Sequence, residues 1–402
     1  MKSGVEQDRV VAILQALHRA AVVGFVASMP VSIAACQISL GLAWIFWLSL
    51  GIKEKKWLGF RTSLDIWFLI FLISAVVSSL LSPRPIESLV GLKKFYLLSV
   101  TYLVAFSVKE ENRFNELLFI FIFMTALAGL YGIVLYLIQG GGKLIATQSM
   151  AMTSGGIFML ATLLVIPLPV RLKKMGPALK IGAKAMMAAI LLTALILTKT
   201  VSSWLGFVSG LVAVGSRKSK YVLLLGLIAV VAISVLVMSR SNIDFLAYDK
   251  SESLRVRMIM WVTAWKMFRE RPLWGWGLID LAQEAKKYRT PGDLSTRGYV
   301  DFGHMHNNFV HIAVIMGVFG LTAFCALWVA VLRQQLKEEQ RSGIDKKMLV
   351  RTLGGAVIAF LINGLAEWNF GDSEVITIVW FLVGLLLSAQ HYGYLSSNLR
   401  KS

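Results

Sequence analysis

Apolar runs of about 18 or more residues recur along most of this chain, each long enough to cross a bilayer as a helix. No other feature limits the fold so sharply. Inside lipid every backbone N–H and C=O must be bonded within the protein, so runs of this length are read as membrane-spanning helices. The rest of the composition agrees. Of 402 residues, 57% are hydrophobic and 16% charged, too few charges to cover a soluble domain. The formal net charge of +19 raises nucleic acid as a partner. The basic residues, however, sit in clusters between the apolar runs, where they set topology and hold lipid headgroups, so nucleic acid is set aside. Cys36 and Cys325 both lie inside apolar runs and offer neither a disulfide framework nor a metal cluster.

Read in order, the chain predicts an all-α polytopic membrane protein with about twelve transmembrane helices. Residues 1–20 read as an amphipathic surface helix leading into the first span. The apolar stretch 20–51 is too long for one span and breaks at Pro30 and Ser32 into two. Further spans are expected near 64–81, 92–108, 116–139, 150–170, 186–198, 203–214 and 221–238. After a long polar segment come 306–332, a charged turn over 333–347, then 349–366 and 375–392. The short Lys/Arg clusters follow every second span, which puts both termini in the cytoplasm and the long segment outside. The expected division is 1–238 for helices one to nine, 239–305 for an outer, periplasmic helical loop, and 306–402 for the last three helices and a basic tail. No internal repeat of the kind found in inverted-repeat transporters is visible.

The outer loop is where chemistry is expected. It carries Arg255 and Arg257 at the start of a helical stretch, the turn Pro272-Leu273-Trp274-Gly275-Trp276-Gly277, and the pair His304 and His306 followed by Asn307. Leu254, Met258, Trp261, Trp265 and Phe268 recur three and four residues apart, so the stretch is expected to lie on the outer membrane surface along that face. Histidine titrates near neutrality and is the usual general base; a pair of interface-anchoring histidines is the plain alternative. Arginines here can clamp an anion, or simply face solvent and lipid phosphates. Arg84, Lys93 and Lys94 flank another outer turn and are candidates for holding lipid-linked phosphates, or for ordinary headgroup anchoring. Glu367, Asp372 and Glu374 fall in the last outer turn, placed to orient cations, bind acceptor hydroxyls, or form a solvated turn.

These residues also carry a resemblance. Arg257-x-x-x-Trp261, Pro272-Leu273-x-Gly275-x-Gly277, His306-Asn307, Gly317-x-x-Gly320 and Glu367-Trp368-Asn369-Phe370-Gly371-Asp372-Ser373-Glu374 occur in an order that resembles the O-antigen ligase and polymerase superfamily of bacterial envelopes. The twelve-span layout with one large loop between spans nine and ten is similar as well. The resemblance implies a GT-C-type glycosyltransferase of the bacterial inner membrane that needs no metal or other cofactor. Its partners would be an undecaprenyl diphosphate-linked glycan as donor, lipid A-core as acceptor, and the surrounding membrane lipids. The family's essential histidine falls on His306 and its loop arginine on Arg257. Members usually carry a further arginine in a Ser-Arg-Gly-x-Trp-like turn after the seventh span. This chain reads Lys199-Thr200-Val201-Ser202-Ser203-Trp204, with Val201 at that position and Lys199 as the candidate cation.

The implied chemistry asks for little. A sugar hydroxyl needs a base, and a departing diphosphate needs positive charge. His306 is assigned the first task and Arg257 with Lys199 the second. Direct displacement inverts the anomeric carbon. The turn Pro30-Val31-Ser32-Ile33 has no carboxylate and the chain has no Asp-x-Asp pair, so the hard oxygen ligands of a metal-dependent enzyme are missing. The polymerase of the same superfamily is the rival reading, disfavoured by the single large loop. A lipid or polysaccharide transporter is the rival from another class, disfavoured by span interiors nearly free of charge.

Overall fold

The computed structural model describes residues 2–54, 61–168, 176–215, 243–288 and 303–398. Among them there is no strand, and the protein is an all-α polytopic membrane protein. Helices α1 (Lys2–Ser28) and α2 (Ile33–Glu54) form a hairpin around Pro30. α3 (Asp65–Leu80) follows. The next span starts at Pro85, earlier than its apolar run suggests. It passes from α4 (Pro85–Gly91) through a 3-10 stretch (Leu92–Leu98) into α5 (Ser99–Ser107). Then come α6 (Glu111–Ile138), α7 (Ala151–Val165), α8 (Pro177–Leu197) and α9 (Val201–Gly215). α10 (Ile243–Glu270) and the short α11 (Ala282–Lys286) belong to the long polar segment. α12 (Asn308–Arg341), α13 (Ile344–Asn363) and α14 (Ser373–Asn398) complete the bundle. Among the described residues six helical stretches are long and apolar enough to cross a membrane, and four shorter apolar helices accompany them. The span expected at 221–238 lies outside the described residues.

Two boundaries differ from expectation for physical reasons. The N-terminal segment is not a separate surface helix: α1 is continuous, and its apolar window already begins at Asp8. The charged turn expected over 333–347 shrinks to Ser342 and Gly343, because α12 runs on to Arg341. Its polar residues are satisfied inside the helix and against its neighbour. Gln334 donates to Glu338 at 2.9 Å and Gln335 to Glu339 at 3.0 Å, both four residues on, while Arg351 of α13 pairs with Glu339 at 2.7 Å.

α7 is the centre of the bundle, with residues 153–165 buried on every side, which is why it reads apolar all round. α9 and α13 touch backbone to backbone. A methyl added at Gly210 would stand 2.8 Å from the Gly355 carbonyl, so the four-residue spacing of Gly206 and Gly210 serves close packing without side chains between. An aromatic core lies where α12 meets α14 and the connection before it: Trp328 and Trp380 stack at 5.2 Å, and Phe324 meets Phe370 of the connection edge-on at 5.0 Å.

α12 is broken. Gly317 has φ 65° and ψ −166°, and the carbonyls and amides this frees are taken up by the incoming loop. Val318 N–H donates to the Pro272 carbonyl at 2.8 Å, and Trp276 N–H and Gly277 N–H donate to Val314 and Ile315 at 2.9 and 2.8 Å. Ser78 of α3 donates to the Ile315 carbonyl as well. Irregular backbone inside a membrane bundle survives only when it is satisfied in this way. The Pro272–Gly277 and Gly317–Gly320 motifs are therefore two halves of one joint, with Gly275 at φ 73° and any methyl there 2.5 Å from the Ile315 carbonyl carbon.

Candidate active site

The joint holds the N-terminal half of α12 upright beside the α13–α14 connection, and a network of asparagines locks the two. Asn307 caps α12: its Oδ1 accepts from Phe309 and Val310 N–H at 2.9 and 3.0 Å, and its Nδ2 donates to the Leu365 carbonyl at 2.7 Å. Asn308 donates to Asn369 at 2.5 Å and accepts from Phe370 N–H at 3.0 Å. Asn369 donates to Asn363 at 2.6 Å, and Asn363 donates to Ser203 of α9 at 3.0 Å. All of these amides are buried, and each bond removes a polar group that would otherwise be costly in an apolar bundle.

The locked connection presents Glu367. Its carboxylate is only 8% exposed and is shared. Oε1 accepts from Arg257 Nη2 of α10 at 2.8 Å and from Ser202 Oγ of α9 at 3.3 Å, and Oε2 stands 3.3 Å from His306 Nδ1. Arg257 and His306 keep 20% and 12% of their side chains exposed. His306 has φ 43°, a left-handed conformation that a non-glycine residue adopts only when its surroundings impose it. Here the fixed points lie on both sides: Trp261 of α10 holds the Met305 carbonyl at 3.0 Å, and Asn307 is committed to the cap. The contact with Glu367 orients the imidazole, and in the tautomer that donates through Nδ1 the acceptor nitrogen is Nε2.

These groups line a cavity of about 1190 Å³. Lys199, in the α8–α9 turn, lines it too and also has a left-handed backbone, φ 55°. The turn is pinned by Trp204, whose indole N–H donates to the Leu195 carbonyl at 3.0 Å, so the tryptophan of the sequence motif has a structural task. Lys94 reaches in from the 3-10 stretch and donates to the Gly371 carbonyl at 3.0 Å. The His304 ring lies 4.5 Å from that of His306. Burial first, then electrostatic repulsion from the neighbouring His306 and Lys94, pushes the His304 imidazole down to about 4. His311 and Trp368 face each other across 4.0 Å in the same wall.

The structure thus brings together eight of the candidate side chains singled out in the sequence: His306, Arg257, Lys199, Lys94, His304, Glu367, Asp372 and Glu374 all line the cavity. Asp372 is at the same time the cap of α14, accepting from Glu374 and Val375 N–H at 3.1 and 3.2 Å and from Thr153 at 2.5 Å. Arg84, Lys93 and Asn307 are not in the lining. Arg84 is spent on Glu87, at 2.7 Å, and on the Asp280 carbonyl, at 2.8 Å, where it ties α4 to the long loop. Lys93 is exposed one position away from Lys94, and Asn307 is a helix cap. The Arg255 side chain lies outside the described residues.

Sequence reasoning did not foresee that Glu367 joins the histidine to the arginine, nor the parts of Ser202, Asn308, Asn363 and Asn369. A signal was present: Asn363 and Asn369 are polar residues at the edges of apolar runs, where they are costly without partners. Among the described residues no group of three or more His, Cys, Asp or Glu is placed to hold a metal ion.

Residues 186–325 match the family model described as O-antigen ligase, a stretch that includes Lys199, Arg257, His304 and His306 and stops short of Glu367. No curated protein matches the chain. The match supports the O-antigen ligase and polymerase superfamily as the relationship read from the sequence motifs.

Proposed function

We propose that this cavity transfers a glycan from an undecaprenyl diphosphate donor to a sugar hydroxyl of lipid A-core, at the periplasmic face of the bacterial inner membrane and without a metal. The observation that carries the reading is the shared carboxylate: Glu367 holds His306 and Arg257 together in one cavity wall. In the reaction the acceptor oxygen attacks the anomeric carbon. The carbon–oxygen bond to the diphosphate breaks, its electron pair leaves on the diphosphate, and the hydroxyl proton passes to His306 Nε2. Glu367 keeps the imidazole in the right tautomer and stabilises the imidazolium that forms. Arg257, Lys199 and Lys94 face the charge that builds on the departing diphosphate. One displacement inverts the anomeric centre.

The ligase is preferred to the polymerase of the same superfamily because the sequence reads as having one large loop. Reconstitution separates them: with an undecaprenyl diphosphate-linked glycan in proteoliposomes, addition of lipid A-core gives glycosylated lipid A-core, whereas growth of the lipid-linked glycan alone supports the polymerase. No transfer to either acceptor by folded protein would count against both.

A further inference from the structure

α10 is apolar on two opposite faces. Val256, Met260, Ala264 and Met267 form the buried face and pack inward. Met258, Val262 and Trp265 point the other way, roughly 180° around the helix at 100° per residue, and each is more than half exposed. The second face includes three members of the apolar stripe visible in the sequence, Met258, Trp261 and Trp265; the stripe that packs against the protein is a different one. A surface helix in water has one apolar face, and a second of this size needs a partner.

The surface continues from this face onto the bundle. Past the C-terminus of α10 the chain passes through the exposed Leu273 to Trp274, whose ring stacks on Phe319 of α12 at 4.5 Å. Phe319 and its neighbour Val318 are exposed on a helix that crosses the membrane, so they face lipid. Trp265 and Phe268 stack on each other at 5.9 Å, and Lys266 and Arg269 flank them with positive charge, the arrangement of an interfacial segment.

We infer that the outward face of α10, from Met258 to Trp265, is sunk into the acyl-chain region of the leaflet on the cavity side of the bundle, as an apolar surface continuous with the lipid-facing side of α12. The occupant is the bulk bilayer. The inference does not depend on the reaction assigned to the cavity. It does bear on it, because Arg257 sits on the same helix between the buried and the lipid-facing stripes, so the depth of α10 sets the depth of the guanidinium.

The test uses the unmodified protein in phosphatidylethanolamine–phosphatidylglycerol vesicles that contain a phospholipid with a diazirine in mid-chain. After irradiation and digestion, lipid adducts are expected on Met258, Val262 or Trp265 as well as on Val318 and Phe319. Adducts on α12 with none on α10 would overturn the inference, whether water or a second copy of the chain covers that face. A nitroxide at W265C in a C36A/C325A background gives an independent reading. Collisions with oxygen should exceed those with an aqueous nickel chelate, the reverse of a label at K287C. Equal nickel accessibility at the two sites, or spin–spin broadening that disappears on dilution with unlabelled protein, would reject it.

Discussion

The Nδ1 nitrogen of His306 stands 3.3 Å from Oε2 of Glu367, a residue 61 positions further along the chain. The distance is at the long end for a hydrogen bond, as catalytic contacts often are before substrate is bound. Everything that brings these two atoms together is made of short-range joints. Gly317 breaks a span, the loop at 272–277 fills the break, and buried asparagines lock the next connection against it.

In the proposed reaction Glu367 is a positioning residue, and its charge is separable from its shape. E367Q should lower kcat by about 10²-fold with little change in KM for the donor, the pattern of an interaction used in the transition state. E367A should in addition destabilise the protein by about 3 kcal/mol, the low end for breaking a buried pair, because Arg257 keeps a fifth of its side chain in contact with water. Steady-state kinetics and thermal denaturation in detergent check the two parts. An unchanged kcat in E367Q would mean the carboxylate only holds the loop.

Lys199 is expected to supply the charge that the related enzymes place two residues later. K199A should reduce transfer by about 10²-fold, the typical loss when one stabilising donor is removed. Val201 lines the same cavity and is exposed, so K199A/V201R should recover a substantial part of the activity. If K199A is as active as wild type, Lys199 has no part in the chemistry.

His304 gives the site a pH signature. Its imidazole is lowered from 6.5 to about 4, chiefly by burial. The unfolded chain therefore takes up this proton first, so the contribution to stability is complete above about 6.5 and declines as pH falls toward 4. The fall in Tm between pH 7.5 and pH 5 should be smaller in H304Q than in wild type. An equal fall in both would show that His304 does not set this dependence.

Gly317 is required by its backbone. G317A forces an alanine into an extended positive-φ conformation that is essentially reserved for glycine, at about 1–3 kcal/mol, and also drives a methyl into the Leu273 carbonyl. A loss of about 2 kcal/mol or more is expected, measured as Tm, with activity falling because the His306 half of α12 loses its support. G343A, with φ −64° and open space around it, should be neutral. Equal effects of the two changes would mean that the joint is not needed.

The span pattern was largely legible because lipid leaves the sequence little choice: long apolar runs appear as helices close to where hydropathy puts them. What was not legible came from polar groups with tertiary partners. Gln334, Gln335, Glu338 and Glu339 read as a turn until their i,i+4 bonds and Arg351 are seen. α10 has two apolar faces: periodicity picked out the one with Met258 and Trp265, expected at the membrane surface, while the buried set with Val256 and Met260 obeys the same helical repeat and was not read. At the candidate site, motifs pointed to His306 and Arg257, which the structure sets against one carboxylate. The role of Glu367 was not, because a carboxylate after a span looks the same in sequence whether it meets water or a histidine. Arg84 and Asn307, residue types suited to ligands, make a loop contact and a helix cap that the sequence did not reveal.

The central claim is that His306, held by Glu367, accepts the hydroxyl proton. Single-turnover transfer from an undecaprenyl diphosphate glycan to lipid A-core, measured in proteoliposomes with wild-type protein and H306A, tests it most directly. The rate should fall about 10²–10⁴-fold in H306A while donor binding stays close to wild type. Transfer by H306A at a near wild-type rate, from protein that is folded and binds donor, would contradict it.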